Sequence, residues 1–337
     1  MRAALALAAV LSLAVSASAV PAADVLTPIG GLPPQIVGQF RDAAAFIQTD
    51  DGRFVVYDRR AQIIYGVDAA KKTVNKLVPI GPLDGEILRP LSFAVSTHRT
   101  LIVLDNPGDY ERVQTFYDTG TPLTMYRRAG ESNDALRINV DSMLSSGLGP
   151  ISAIGTNFLA QAPDGQSLFG EFTPQGQMVR RIGVPRPTGH ERDRPLHQAL
   201  NTGIALAAPD GSLYFVFTTG IPMIRKYSRS GALVFERHVE GPELDETIQG
   251  LPTVWPLRTL GKVELPAVTP TVSTASIDRQ GRLWVSLTVP FTYVYDAAGN
   301  KLRTVQFTGA GPIVPKQLFF TKGGTILVAP GCYEFTG

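Results

Sequence analysis

The chain has 337 residues, of which 44% are hydrophobic and 18% are charged, and it contains 33 glycines and 26 prolines. This composition is typical of a globular protein with a large core and many turns, and it excludes a mainly disordered chain. The formal net charge of +2 lacks the concentrated positive field that binds a phosphate backbone, so nucleic acid is not expected as a partner.

The first residues predict a secretory signal peptide. A basic Arg2 precedes an apolar run at residues 3–15, and small residues follow as far as Ala19. This order matches the charged, hydrophobic and cleavage regions of a signal, and we place cleavage near Ala19, with Ala23 as the alternative. The run is short for a bilayer, and no later segment is long and apolar enough to span one. We therefore expect residues 1–19 to be removed and the mature protein to be secreted or periplasmic, without a membrane span.

A four-strand unit recurs along the rest of the chain. In each unit a tight turn opens a run of β-branched and aromatic residues, and a loop, a third strand, a second turn and a fourth strand follow. The second strands are predicted to begin near residues 53, 100, 158, 212, 282 and 325. This spacing is typical of propeller blades, so the sequence predicts an all-β fold: a six-bladed β-propeller over residues 24–337, with four antiparallel strands per blade. An open β-sandwich would show similar turns, but the repeated four-strand units favour the ring.

Two units depart from the regular pattern. In the third, the turn at residues 163–165 falls between the second and third strands, whereas the corresponding turn elsewhere falls between the first and second. In the sixth, the sequence provides only three strands. We expect residues 25–29 to supply the fourth, because an N-terminal strand that completes the last blade closes the ring and removes exposed sheet edges.

Two segments resemble known propellers. An Asp-Gly turn at residues 51–52, a strand that ends in Asp58 and a return strand at 63–65 resemble the NHL repeat. Residues 201–217 resemble the metal-site segment of gluconolactonase-like (SMP-30-like) propellers, although Phe217 stands where that family has an aspartate. The chain is therefore similar to the NHL-repeat and gluconolactonase-like group. The resemblance implies the six-bladed fold, and it leaves lactonases, lyases and binding scaffolds open as functions.

The sequence offers no motif for catalysis or for a metal. A hard cation needs several converging oxygen ligands, and a zinc lyase needs histidines at matching blade positions. The four histidines do not match in this way; they are His98, His190, His197 and His238. No Gly-x-Ser-x-Gly motif occurs, and Cys332, the only cysteine, lies in a predicted apolar strand. We therefore predict no catalytic residue, no metal and no cofactor.

The longest connections all belong to one end of the predicted ring. They span residues 127–150, 184–202 and 240–273, and a helix over residues 132–144 is expected to cap the ring there. Insertions at one end of a rigid scaffold are where function tends to be placed. Six residues in these loops or around the channel mouth are the candidate ligand-binding residues: Arg60, Asp105, Tyr110, Arg112, Trp255 and Tyr293. Trp255 can serve either as a ligand platform or as a loop anchor, and Asp105 can instead cap a strand end.

These sequence features support two functional hypotheses, one a binding protein and the other an enzyme. The leading hypothesis is an exported, non-enzymatic propeller that binds a protein, peptide or glycan on the face with the long loops. The alternative is a lactonase-like hydrolase or lyase whose site lies at the channel mouth. The sequence does not distinguish the binding hypothesis from a third one, in which the protein is a structural spacer in a larger assembly.

Overall fold

The computed structural model describes residues 23–96, 100–108, 110–128, 136–138, 144–146, 151–162, 165–260 and 263–337. The expected signal peptide at residues 1–19 and the turn that contains His98 lie outside this part of the chain. Within it, six four-stranded antiparallel units stand around one central channel, which confirms the predicted six-bladed β-propeller.

The described chain begins with three short elements that precede blade one. They are β1 (Asp24–Leu26), β2 (Gly30–Gly31) and α1 (Pro34–Val37). Blade one, from the innermost strand outward, consists of β3 (Ala43–Gln48), β4 (Phe54–Asp58), β5 (Ile63–Val67) and β6 (Val74–Val78). Blade two consists of β7 (Pro90–Val95), β8 (Thr100–Asp105), β9 (Glu111–Tyr117) and β10 (Pro122–Arg128).

Blades three and four are each preceded by an inserted element. The hairpin β11 (Leu136–Ile138) and β12 (Leu144–Ser146) precedes blade three. Blade three consists of β13 (Ser152–Ile154), β14 (Asn157–Gln161), β15 (Phe169–Phe172) and β16 (Met178–Ile182). Helix α2 (Arg194–Leu200) follows, and blade four consists of β17 (Gly203–Ala207), β18 (Leu213–Phe217), β19 (Met223–Tyr227) and β20 (Leu233–His238).

The largest insertion precedes blade five. It contains α3 (Pro242–Gln249) and the hairpin β21 (Leu257–Leu260) and β22 (Val263–Pro266). Blade five consists of β23 (Val272–Ile277), β24 (Leu283–Leu287), β25 (Thr292–Tyr295) and β26 (Lys301–Thr308), with β27 (Pro312–Ile313) paired to β26. Blade six consists of β28 (Gln317–Phe320), β29 (Thr325–Ala329), β30 (Tyr333–Thr336) and β2.

The predicted starts of the second strands are correct to within one residue in all six blades. The second strands are easy to recognise because neighbouring blades cover both of their faces. Every residue of β4, β18 and β24 is buried, so these strands read as continuous apolar runs rather than alternating ones. In the turns before β18 and β24, Gly211 and Gly281 have φ angles of 82° and 78°, a region that favours glycine. Blade three also has the predicted arrangement, because residues 163–165 lie between β14 and β15.

The hydrophobic core of the protein is divided among the seams between blades. In the described residues, one cluster of buried side chains fills each of the six seams. Phe46 of blade one packs toward blade six, for example, and Phe215 of blade four stacks on Phe169 of blade three with 5.6 Å between ring centroids. Each blade is therefore stabilised mainly by its two neighbours rather than by a core of its own.

A polar contact also crosses every seam beside the channel, and each one uses a side chain or carbonyl of a channel-lining residue. In ring order from the seam between blades one and two, the pairs are Tyr57 Oη to Pro90 O (3.1 Å), Ile151 N to Ser92 Oγ (2.9 Å), Ser152 Oγ to Ala205 O, Thr271 N to Thr218 O (2.8 Å), Ser273 Oγ to Pro315 O (2.7 Å) and Phe46 N to Gln317 Oε1 (2.8 Å). These hydrogen bonds fix the inner strands relative to one another.

The N-terminal segment closes the ring, but with a different strand from the one predicted. Gly30 and Gly31 pair antiparallel with β30, whereas β1 pairs in parallel with the outer strand β26 of blade five. The reason lies in the space available. A Cβ atom on Gly31 would approach the carbonyl oxygen of Cys332 to 2.3 Å, so the closing strand must pass blade six at a glycine. Of the predicted segment, residues 25–29, Val25 and Leu26 pair with blade five, and the Ile29 N–H donates to the Glu334 carbonyl of blade six at 2.8 Å.

The expected helix over residues 132–144 is wrong for the residues that the structure describes. Leu136–Ile138 pairs antiparallel with Leu144–Ser146 in a hairpin. An isolated helix shorter than about 12–15 residues is only marginally stable, so the pairing of two short strands can satisfy the backbone better. Elsewhere in the described residues, no helix has the length and apolar character needed to cross a membrane.

Candidate functional site

The central channel contains two chambers. The upper chamber, about 330 Å³, opens at the long-loop face, which we define as the end of the ring that carries the connections between blades. The lower chamber, about 430 Å³, opens at the short-turn face, which carries the turns between first and second strands. The two share three apolar residues, Ile47, Val95 and Phe319, so these side chains form the boundary between them.

The upper chamber has a wall of small and hydroxyl side chains with a cationic mouth. Ser92, Ser152 and Ser273 line it, and each is already hydrogen-bonded across a seam. Arg59 and Lys316 supply the charge among its described lining residues. The Arg59 guanidinium donates to Asp42 Oδ2 from both Nε (3.0 Å) and Nη2 (2.7 Å). The chamber can therefore accept an uncharged body, and its mouth carries Lys316 together with the Arg59–Asp42 ion pair.

Arg59, Lys316 and Phe319 line the upper chamber and are not among the six predicted ligand-binding residues. Lys316 directly precedes β28, the inner strand of blade six. Since every inner strand starts at the long-loop face, the residue before a predicted inner strand is the signal that would have found it. Phe319 gives no such signal, because its position on the channel depends on the neighbouring blades.

The structure buries Asp105 and Arg112, two of the predicted ligand-binding residues. Neither exposes any of its side chain, and Arg112 donates to both carboxylate oxygens of Asp105, at 3.0 and 2.6 Å. Arg112 also donates to the carbonyls of Pro82, Leu83 and Glu86, at 2.9–3.0 Å. Burial alone would lower the pKa of Arg112, but Asp105 outweighs it and raises that pKa. The pair holds the connection between blades one and two.

Aspartates and a phenylalanine occupy the same place in different blades, the last position of the second strand. Asp58 accepts from the backbone N–H groups of Arg41 (2.6 Å) and Ala61 (2.9 Å), so it caps a connection as Asp105 does. Phe217 ends the second strand of blade four, and the Arg186 guanidinium lies over its ring, 4.4 Å from the centroid.

Arg186 holds the connection before blade four without a carboxylate. Its guanidinium donates to the carbonyls of Ile221 (2.6 Å), Leu200 (3.0 Å) and Thr219 (2.8 Å). Burial and the nearby Arg225 lower the pKa of Arg186 to about 10. At the position of Asp58 and Asp105, blade four thus has Phe217 against the Arg186 guanidinium, and the hydrogen bonds of Arg186 hold this connection.

Three insertions meet on the long-loop face and form what we call the cap: the hairpin β11–β12, helix α2 and the hairpin β21–β22. Helix α2 contacts both β11 and β22. Its N-terminus is capped by Asp193, whose carboxylate accepts from the Leu196 N–H at 3.1 Å. Half-buried Trp255 packs against the buried side chains of this cluster, which include Leu196 and Leu200. Trp255 is therefore an anchor of the cap.

Tyr293, Tyr110 and Arg60 have three different environments. Tyr293 is fully buried; its hydroxyl donates to Glu243 Oε2 at 2.7 Å, and burial together with that carboxylate raises its pKa. Tyr110 is half-buried, with the Arg127 guanidinium 5.3 Å from its ring centroid. Arg60 is exposed in the turn between β4 and β5. The structure does not gather the six predicted residues into one site.

Four exposed aliphatic residues lie in the loops and insertions of the long-loop face, and we call them the apolar rim. They are Val184, Ile221, Val254 and Leu257, with exposed fractions of 72%, 51%, 83% and 61%, and Leu257 belongs to the cap hairpin β21–β22. Val184 and Ile221 are linked through their carbonyls to the neighbouring guanidinium groups of Arg225 and Arg186. Val254 and Leu257 flank Trp255. In the described residues, no group of three or more His, Cys, Asp or Glu side chains could hold a metal ion.

Comparisons with known proteins show the fold and no family. No protein-family model and no curated protein matches the chain. Among solved structures, a streptogramin B lyase matches with 12% identity over 87% of this chain and 93% of that one, at a TM-score of 0.52. Virginiamycin B lyase from Staphylococcus aureus matches with 13% identity over 90% and 96%, at a TM-score of 0.51. At this identity the likeness concerns the propeller fold alone, which is consistent with the resemblance to the NHL-repeat and gluconolactonase-like group.

Proposed function

We propose that this chain is an exported binding propeller that holds a protein partner on its long-loop face. The observation that carries the proposal is the apolar rim, four aliphatic side chains on the long-loop face that expose 51–83% of their surface. Exposed apolar patches of this kind mark protein contacts, because covering them removes apolar surface from water.

The rim favours a protein over a glycan. A sugar ring needs a flat aromatic face and hydrogen-bonding groups around it, whereas the rim is aliphatic. Trp255, the aromatic side chain nearest in sequence, is used to pack the cap. The upper chamber adds a second contact, because Arg59 and Lys316 at its mouth suit an acidic side chain of the partner.

Export is part of the proposal, and it is compatible with the fold. The first strand, β1, begins at Asp24. Cleavage after either Ala19 or Ala23 would therefore leave every described strand intact. N-terminal sequencing of the protein recovered from the periplasm or the medium tests this: a start after either alanine supports export, and a retained residue 1 contradicts it.

Site-specific photocrosslinking in the cells that produce the protein tests the binding face. A benzoylphenylalanine replaces Val184 or Leu257 on the rim. As controls it replaces Leu233 or Leu302, which are similarly exposed, at 56% and 53%, on outer strands of blades four and five. We expect the two rim positions to give the same protein adduct and the controls to give none. The aspartate variant Ile221→Asp should remove the adduct.

Three outcomes would overturn the proposal. Equal adducts from rim and control positions would mean that the contact is unspecific. Binding to a glycan array with no protein adduct would assign the face to sugars instead. Turnover in a lactone and ester panel that disappears in Arg59→Ala would replace binding with the lactonase-like alternative.

A further inference from the structure

The lower chamber is a separate site at the opposite end of the channel from the long-loop face. Its volume of about 430 Å³ lies within the range of small-molecule sites, roughly 300–1,000 Å³. Its rim is formed by the turns that follow the inner strands of blades one, five and six, which contain Asp50, Arg279 and Lys322. A ligand can therefore enter the lower chamber from the short-turn face without contacting a partner bound at the cap.

The charges around the lower chamber leave one cation available. Lys322 Nζ lies 2.6 Å from Asp50 Oδ2. Asp118, which is almost fully buried, has Arg53 Nη2 at 3.3 Å from its Oδ2. Arg279 is exposed in its turn and makes no hydrogen bond or ion pair with any residue that the structure describes. The net effect is a chamber with paired charges on its walls and a free guanidinium at its edge.

One wall of the lower chamber is apolar and partly aromatic, and the polar residues Gln48, Thr49 and Ser96 also line the chamber. Phe319 and Phe320 line it together with Val95 and Leu101. The Phe320 ring packs on the buried Trp284 ring, with 5.4 Å between their centroids, so the aromatic wall is held from behind. A preformed apolar wall lowers the entropic cost of ordering the site when a ligand binds.

We propose that the lower chamber binds a small amphipathic carboxylate, whose apolar body contacts Phe319 and Phe320 and whose carboxylate pairs with Arg279. The guanidinium can donate two parallel hydrogen bonds to a carboxylate, which a neutral or cationic ligand of the same shape cannot accept in the same way. The ligand class is defined by this combination of one free cation with an aromatic wall.

Titration with phenylacetate, followed by methyl NMR, tests the proposal. Phenylacetamide and 2-phenylethylamine serve as the neutral and cationic ligands of similar shape. Leu101, which lines the lower chamber alone, reports on that chamber, and Leu206, which lines the upper chamber alone, reports on the other end. We expect phenylacetate to shift Leu101 in preference to Leu206, and to bind more tightly than either analogue.

Two arginine variants make the test specific. Arg279→Gln should weaken phenylacetate binding by about tenfold, the loss expected for one charge-assisted contact. Arg229→Gln changes another exposed turn arginine, between β19 and β20 of blade four and outside the lining of both chambers, and should leave binding unchanged. Both are surface substitutions, and an unchanged methyl spectrum elsewhere verifies the fold. Equal binding of phenylacetamide, equal affinity in Arg279→Gln, shifts confined to Leu206, or the absence of any shift would each overturn the proposal.

Discussion

The side-chain oxygen Oε1 of Gln317, in the inner strand of blade six, accepts a hydrogen bond from the backbone N–H of Phe46 in blade one, at 2.8 Å. Phe46 is fully buried, so this contact joins the first and last blades and gives a buried backbone N–H its partner. An unpaired buried N–H costs about 1–3 kcal/mol. We expect Gln317→Met, which keeps the length but removes the acceptor, to lower the free energy of unfolding by that amount in urea titrations.

The matched control for this experiment is Gln39→Met, because the Gln39 amide bonds only to an exposed carbonyl, that of Gln35. This control should change the unfolding free energy by less than about 0.5 kcal/mol. An equal loss in both variants would show that the Gln317 contact does not contribute specifically to ring closure.

The buried pair of Asp105 and Arg112 gives a second prediction. Removing one partner leaves an uncompensated buried charge, so Arg112→Met should cost about 3–5 kcal/mol of stability. The double variant Asp105→Leu with Arg112→Met removes both charges and should recover part of that loss. Urea unfolding of the unmodified protein, the two single variants and the double variant measures the coupling. A single variant as stable as the unmodified protein would contradict the structural role and revive the predicted role in ligand binding.

The thiol of Cys332 gives a pH-dependent prediction. Burial raises its pKa from 9.0 to about 12. Between pH 9 and 12, the folded state therefore keeps the thiol proton that the unfolded state has lost. The stabilisation that comes from burying the neutral thiol is fully present below pH 9 and is lost as the pH rises from 9 to 12. We expect the unfolding free energy of the unmodified protein to fall relative to Cys332→Ala above pH 9, by up to about 1.4 kcal/mol per pH unit. If the difference in unfolding free energy between the unmodified protein and Cys332→Ala stays constant from pH 8 to 10.5, the prediction is wrong.

The packing of Trp255 in the cap gives a further prediction. Since this side chain packs against helix α2, Trp255→Ala should loosen the cap and speed amide hydrogen exchange in Arg194–Leu200, while the strands of the blades keep their protection. Trp255→Phe retains most of the contact and should change exchange much less. If α2 keeps its protection in Trp255→Ala, the side chain is a ligand platform rather than an anchor.

The repeat was predictable from the sequence because each second strand is covered on both faces. That environment demands an unbroken apolar run, and Leu213–Phe217 and Leu283–Leu287 show it directly. The position of the closing strand was less predictable. It depends on how closely Gly31 can approach the Cys332 carbonyl, which is a contact between residues far apart in the chain.

The candidate site was predicted less well than the fold, for a related reason. Asp105 and Arg112 are seven residues apart in sequence and face each other across two strands, so that two charged residues of a predicted loop region neutralise each other inside the protein. Sequence patterns locate charged residues but do not show which are already paired. The same limit explains why Arg279, which has no partner among the described residues, did not stand out from other surface arginines.

The pairing of Gly30–Gly31 with Tyr333–Thr336 has a consequence for how the molecule assembles. Blade six draws its outermost strand from the beginning of the described chain and its other three from the far end. During synthesis, β2 must therefore remain without its neighbour until Tyr333–Thr336 has been made. Contacts between such distant segments slow folding. Blades two to five can therefore form in sequence before the four-stranded sheet of blade six is complete. A factor that binds the early segment would hold the ring open without contacting any finished blade.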